Sequence, residues 1–247
     1  MSLILLALSC SIRNREKEKE TISQEHIRLI QLWNQGDIES VEKILESKKD
    51  ESNTQSFWVL ASHLYGKKGR EEFSEEYLEQ SKRNGFRCLS QEPQFASMVS
   101  LQQGVITAQA IETLDGTEEA IVECVLWTSI SWSLWLHERY GEMISSDVQT
   151  TQMMAEWVSL YRNDAWSSYA LAIAEALTPI YENPDWTKMS KHFEKAEKLD
   201  QLIEFEYYYH HHRFVDLETY CQRKEWQGLS VNYLRRWEES LYLCVDN

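Results

Sequence analysis

The chain has 247 residues and a formal net charge of −15, from 40 acidic against 25 basic side chains. That balance argues against a phosphate-neutralising nucleic-acid surface, and for a body that needs no anionic membrane patch to hold it. Eight Gly and three Pro favour helix over sheet and turn, while ten Trp and twelve Tyr need a core or a groove to house them. The length suffices for one large helical domain or a short helical array.

Residues Ser2 to Cys10 read SLILLALSC, and the chain then turns abruptly polar as SIRNREKEKE. The apolar run is too short to span a bilayer. It resembles the lipobox of bacterial lipoproteins, in which the Cys is acylated after signal cleavage. That resemblance implies a lipid on Cys10, Ser9 as the small residue before it, and a charged tether through residue 22. The alternative is a frayed cytosolic N-terminus.

Residues 23–247 read as a single all-helical domain. Ile27, Ile30, Leu32 and Trp33 mark a short amphipathic helix that stops at Gly36. Asp37 caps a second helix, whose Ile38, Val41, Ile44 and Leu45 share a face. Residues 47–54 read as a loop. In Gln55 to Arg83, Trp58, Ser62, Tyr65, Gly69, Ser74, Leu78 and Ser81 fall at tetratricopeptide-repeat spacing. Small residues there let two antiparallel helices approach, and large ones fill the gap between them. In that pattern Gly69 stands between the helices.

Thr117 to Tyr140 is apolar around most of its circumference, which predicts a helix enclosed by other helices. Thr128, Ser129, Ser131 and Ser133 are its small hydroxyls, expected to accept from buried indole N–H groups. Around this central Trp-rich strut the antiparallel pairs should stack. Further helices are predicted over 146–162, 166–177 and 186–199, with 202–217, 218–226 and 230–243 closing the fold.

The sequence gives no positive support to catalysis, a cofactor or a metal. Gly-rich phosphate loops and nucleophile elbows are absent, and paired carboxylates such as Glu75-Glu76 sit in solvated helical turns. His210, His211 and His212 are consecutive, so on a helix they point about 100° apart and do not converge on one ion. Of the five Cys, Cys124 and Cys221 read as buried free thiols. A disulfide involving Cys88, Cys221 or Cys244 stays open. Trp127, Trp132 and Trp135 read first as core ridges. The same face is also the candidate ligand cavity for a largely apolar organic solute, with Ser131 and with Trp157 or Trp166.

Several blocks resemble the TatT component of TRAP (tripartite ATP-independent periplasmic) transporters. They are Tyr77-Leu78-Glu79-Gln80-Ser81-Lys82 onward to Leu89, Leu126-Trp127-Thr128 with Trp132, Lys191-His192-Phe193-Glu194-Lys195-Ala196, and Leu229-Ser230-Val231-Asn232. The resemblance runs from about Gly36 to the C-terminus. It implies a non-enzymatic, lipid-anchored, tetratricopeptide-like protein facing the periplasm. Such a protein would form homo-oligomers, dock a periplasmic solute-binding subunit beside a membrane permease, and bind or pass a solute. Two rivals remain: a generic helix-pair scaffold of envelope or cytosol that binds protein partners only, and a weaker α/α-barrel sugar enzyme.

Overall fold

A computed structural model describes residues 28–29, 31–32, 35–48, 55–72, 74–139, 145–177 and 185–199. Cys10 and its tether, the three consecutive His, Cys221, Cys244 and the helices expected after residue 200 lie outside the described residues. Within them the protein is all-helical. The helices are α1 (Ile38–Lys48), α2 (Gln55–Glu72), α3 (Glu75–Leu89), α4 (Pro93–Leu101) and α5 (Ala108–Glu112). They continue as α6 (Glu119–Glu138), α7 (Ser145–Tyr161), α8 (Ala165–Glu175) and α9 (Trp186–Ala196).

Chain punctuation follows local chemistry. Gly36 takes a φ of +76°, which a side-chain-bearing residue rarely adopts, and it turns the chain before α1. Asp37 then accepts the Ser40 N–H at 3.2 Å and opens α1, as expected. α3 opens on Ser74, whose Oγ accepts from the Tyr77 N–H. Asp164 and Ser167 cap α8 reciprocally, and Asp185 accepts from the Lys188 N–H at 2.9 Å to start α9.

The hairpin expected from residue 55 forms, with one difference. α2 runs three residues past Gly69, to Glu72, before α3 opens at Glu75. Gly69 therefore lies inside the helix, and the need for a small residue comes from packing. A Cβ there would stand 2.8 Å from Leu78 Cδ2. Higher in the hairpin, Ser62 Oγ donates to the Ser81 carbonyl at 3.0 Å, and Ser81 Oγ donates back to the Ser62 carbonyl at 2.5 Å. Ser81 Oγ–H is then committed, so the Ser131 hydroxyl, 2.5 Å away, is the donor to it.

That last bond ties the hairpin to α6. Going along α3 from Ser81 to Gly85 to Cys88, the partners on α6 are Ser131, Thr128 and Cys124. The two helices thus run antiparallel with small residues facing each other, the condition for a close approach. α6 also packs on α2, α7 and α8. Fifteen of its twenty residues are buried, and it is the sheltered central helix that its all-round apolar surface predicts.

Two findings on α6 differ from expectation. Cys124, read as a free thiol, is joined by a disulfide to Cys88, with the Cα atoms 6.1 Å apart. The α3–α6 register brings these two positions together, and nothing in the spacing of 36 residues signalled it. The α6 hydroxyls also do not serve the indoles. Thr128 donates to the Cys124 carbonyl at 2.6 Å and Ser129 to the Thr151 carbonyl of α7 at 3.1 Å. Side-chain hydroxyls in a helix reach the preceding turn or a neighbouring backbone more readily than a ring on the same helix.

α4 and α5 were not foreseen. Pro93 in the first turn of α4 and Thr107 capping α5 are ordinary start signals. With nine and five residues, however, these helices are too short for apolar periodicity to stand out.

Candidate functional site

The six residues nominated as a ligand cavity fall into separate neighbourhoods. Trp127 is 1 % exposed. Its ring stacks on His63 at 4.1 Å and meets Trp166 at 4.8 Å. Its indole N–H donates to Glu123 Oε2 at 2.8 Å, a carboxylate one helical turn back. Trp166 lies edge-on to Tyr169 at 6.0 Å, and the Tyr169 hydroxyl accepts from Arg70 Nε at 3.1 Å. Ser131 is fully buried in the seam with Ser81.

Trp132 and Trp135 belong to another group, against α3. Phe86 meets the Trp132 ring edge-on at 5.1 Å. Lys82 Nζ lies 3.4 Å from the Trp135 centroid, and Arg139 covers the same ring at 4.8 Å. Burial holds the Lys82 ammonium below its ordinary range, against the upward pull of Glu79 and Asp147. The indole N–H groups of Trp132 and Trp135 are buried with no hydrogen-bond acceptor among the described residues. Trp157 packs on Tyr161 at 4.7 Å, near the end of α7. Each of these rings packs within or against the core, and none of the six residues lines the groove described next.

Between α1 and the α2–α3 hairpin lies an open groove of about 230 Å³. One wall is α2, through Phe57, Trp58, Ala61 and Tyr65; the other is α3, through Gln80, Arg83, Asn84 and Arg87; Leu45 and Glu46 of α1 close the side. The polar wall follows from helical spacing, since offsets of 0, 3, 4 and 7 from Gln80 share one face. The sequence thus carried this stripe, and Trp58 with Tyr65 already stood out as hairpin positions. What it lacked was the placement of α1, which turns a helix face into a concavity.

Charge in the groove is fixed by its neighbours. The Arg87 guanidinium lies 4.9 Å from the centroid of the Trp58 ring, and among the described residues no carboxylate pairs with it. Arg83 donates to Glu79 at 2.6 Å while remaining mostly exposed. Lys68 is taken by Glu42 at 2.5 Å and lies 4.0 Å above the Tyr77 ring. Burial, with Glu42 and Glu46 close by, pushes the Tyr65 phenol up to about 12, so Tyr65 keeps its proton through the physiological range.

A second polar cluster, on the Trp127 side, is structural. Arg162 bridges Glu123 and Asp164. Burial alone would raise the Asp164 carboxyl, but the Ser167 backbone N–H and the Arg162 guanidinium hold it below its ordinary 3.8. A carboxylate depressed in the folded state stabilises the fold above its unfolded value, and that contribution is lost as pH falls through the lower folded value. Asp164→Ala is therefore expected to lose about 1 kcal/mol near neutral pH, as for a removed helix cap. The gap from the parent should narrow below pH 3.8. Urea unfolding of both proteins, in neutral and in acidic buffer, checks this; a gap equally wide in acid would contradict it.

Among the described residues no group of three His, Cys, Asp or Glu side chains is placed to hold a metal ion. No helix among them is long and apolar enough to cross a membrane. Comparison with protein-family models, curated proteins and solved structures finds no match.

Proposed function

We propose that this protein is a non-enzymatic accessory component of a TRAP-type uptake system. It is held at the bacterial envelope by a lipid on Cys10, faces the periplasm, and docks the solute-binding subunit through its paired helices. The observation that carries this reading is the antiparallel α2–α3 pair, closed by reciprocal Ser62–Ser81 bonds and left open beside α1 as a groove. Paired helices flanking a concave face are a common way to present a binding surface. The Cys88–Cys124 bond supports it from another side, because disulfides persist in oxidising compartments such as the periplasm. The choice of partner rests on the resemblance of those sequence blocks to TatT.

Co-purification with the solute-binding protein encoded nearest to this chain's gene tests the proposal. A stable complex is expected, and it should depend on the folded α2–α3 hairpin. No complex in solution, together with no permease or solute binder in the gene neighbourhood, would overturn it. The rival reading, a helix-pair scaffold for other proteins, is favoured if the chain captures a different protein and ignores the solute binder.

A further inference from the structure

The groove between α1, α2 and α3 has a chemistry that partner docking does not explain. In a chain of net charge −15, two guanidiniums and two side-chain amides are gathered along one wall, facing buried aromatics on the other. The Arg87 guanidinium carbon sits 4.9 Å from the Trp58 ring centroid. A guanidinium held against an aromatic ring has less freedom to lose on binding and still carries N–H donors for an acceptor, which suits a carboxylate. The opposite side is apolar and aromatic, through Trp58 and Phe57, both largely buried and therefore held in place. Tyr65 adds a hydroxyl that stays protonated.

The volume sets the scale. About 230 Å³ equals the space of about eight water molecules at roughly 30 Å³ each. It lies below the range of drug-sized pockets, which start near about 300 Å³. The groove therefore suits a ligand of about ten non-hydrogen atoms and not an extended peptide. Glu46 at the rim, and Glu79 already on Arg83, oppose a second negative charge.

We propose that this groove is a binding subsite for a small organic monoanion, a single carboxylate joined to a compact apolar body. Arg87 is the anion contact, and Trp58 with Phe57 forms the apolar wall. The site differs from the Trp-rich face of α6. The proposal does not depend on the TRAP assignment, since a small acid can bind here whichever protein docks outside.

The test uses the full chain and phenylacetate, with phenylacetamide as its neutral twin, read by isothermal titration and by saturation-transfer NMR. Phenylacetate is expected to bind at least tenfold more tightly than the amide, because the amide lacks the charge-assisted bond. Arg87→Gln should weaken phenylacetate about tenfold while leaving the melting temperature unchanged, Arg87 being a surface residue. Trp58→Leu should weaken acid and amide together. Equal binding of acid and amide would overturn the proposal, as would unchanged affinity in Arg87→Gln, or no binding of phenylacetate or hexanoate at about 10 mM. Tenfold tighter binding of a tripeptide with a free C-terminal Phe would also overturn it, and would assign the groove to protein ends. Co-purification of the solute-binding subunit is scored separately, so either reading can fail alone.

Discussion

Breaking the Cys88–Cys124 bond should lower stability by roughly 2–4 kcal/mol, the largest single effect expected in the described part of the fold. The bond closes a loop across a sequence separation of 36. By the chain-entropy account, tying such a loop in the unfolded chain contributes about 4 kcal/mol. Both half-cystines are fully buried between α3 and α6, so replacement also leaves a small cavity. Cys88→Ala with Cys124→Ala should therefore drop the thermal midpoint by on the order of 10 °C for a domain of this size. The single variants should behave alike, since each removes the same link. Mass spectrometry of a non-reduced digest should find the two cysteine peptides joined. Recovery of both as alkylated free thiols, with no reductant used, would rule the bond out.

Gly85→Ala is expected to destabilise by about 2–3 kcal/mol, opposite in sign to the usual result for a helix interior. Replacing Gly by Ala in an exposed helix normally gains up to about 1 kcal/mol, through backbone entropy. At Gly85 that gain is overridden by contact. A Cβ would lie 1.9 Å from Thr128 Oγ1 and 2.9 Å from Thr128 Cβ, and overpacking of this kind costs about 1–3 kcal/mol. α3 would have to back away from α6, loosening the Ser81–Ser131 bond one turn along. Thr128→Gly in the same chain should recover much of the loss, because it removes both clashing atoms. Chemical denaturation of the single and double variants gives the coupling directly. A stabilised or neutral Gly85→Ala would show that α3 and α6 stand too far apart for Gly85 to touch Thr128. That outcome would also weaken the case for the disulfide, which needs the same close register.

These predictions share a root in the small residues of α2, α3 and α6. Ser62, Gly66, Ser81, Gly85, Thr128 and Ser131 meet at one junction. Even Gly66, which lies outside the repeat-like spacing, has no room for a Cβ beside Ser131 and Ser81. Close approach there leaves the larger side chains to pack on the flanks, Trp127 against His63 and Trp132 against Phe86. The Trp residues thus divide between two sides of α6. A contiguous row in a helical projection does not require a contiguous cavity, because neighbouring helices insert between its members.

The sequence by itself determined that the described chain is helical, where its longer helices run, and that residues 119–138 are enclosed. Each of these is a property of one segment: turn residues end it, and the apolar share of its circumference states how many neighbours it needs. The hairpin from Gln55 was legible for a related reason, since small residues recurred at the spacing of two helices in contact. Only the tertiary structure decided which faces meet. The register of α3 on α6 paired Cys88 with Cys124. The reach of Thr128 and Ser129 to backbone, and of Ser131 to Ser81, left Glu123 to accept from Trp127. The placement of α1 beside the hairpin turned the Gln80–Arg87 face into a wall of a groove. Register and crossing angle depend on the fit between two surfaces far apart in the chain, and no periodicity within one segment carries that fit.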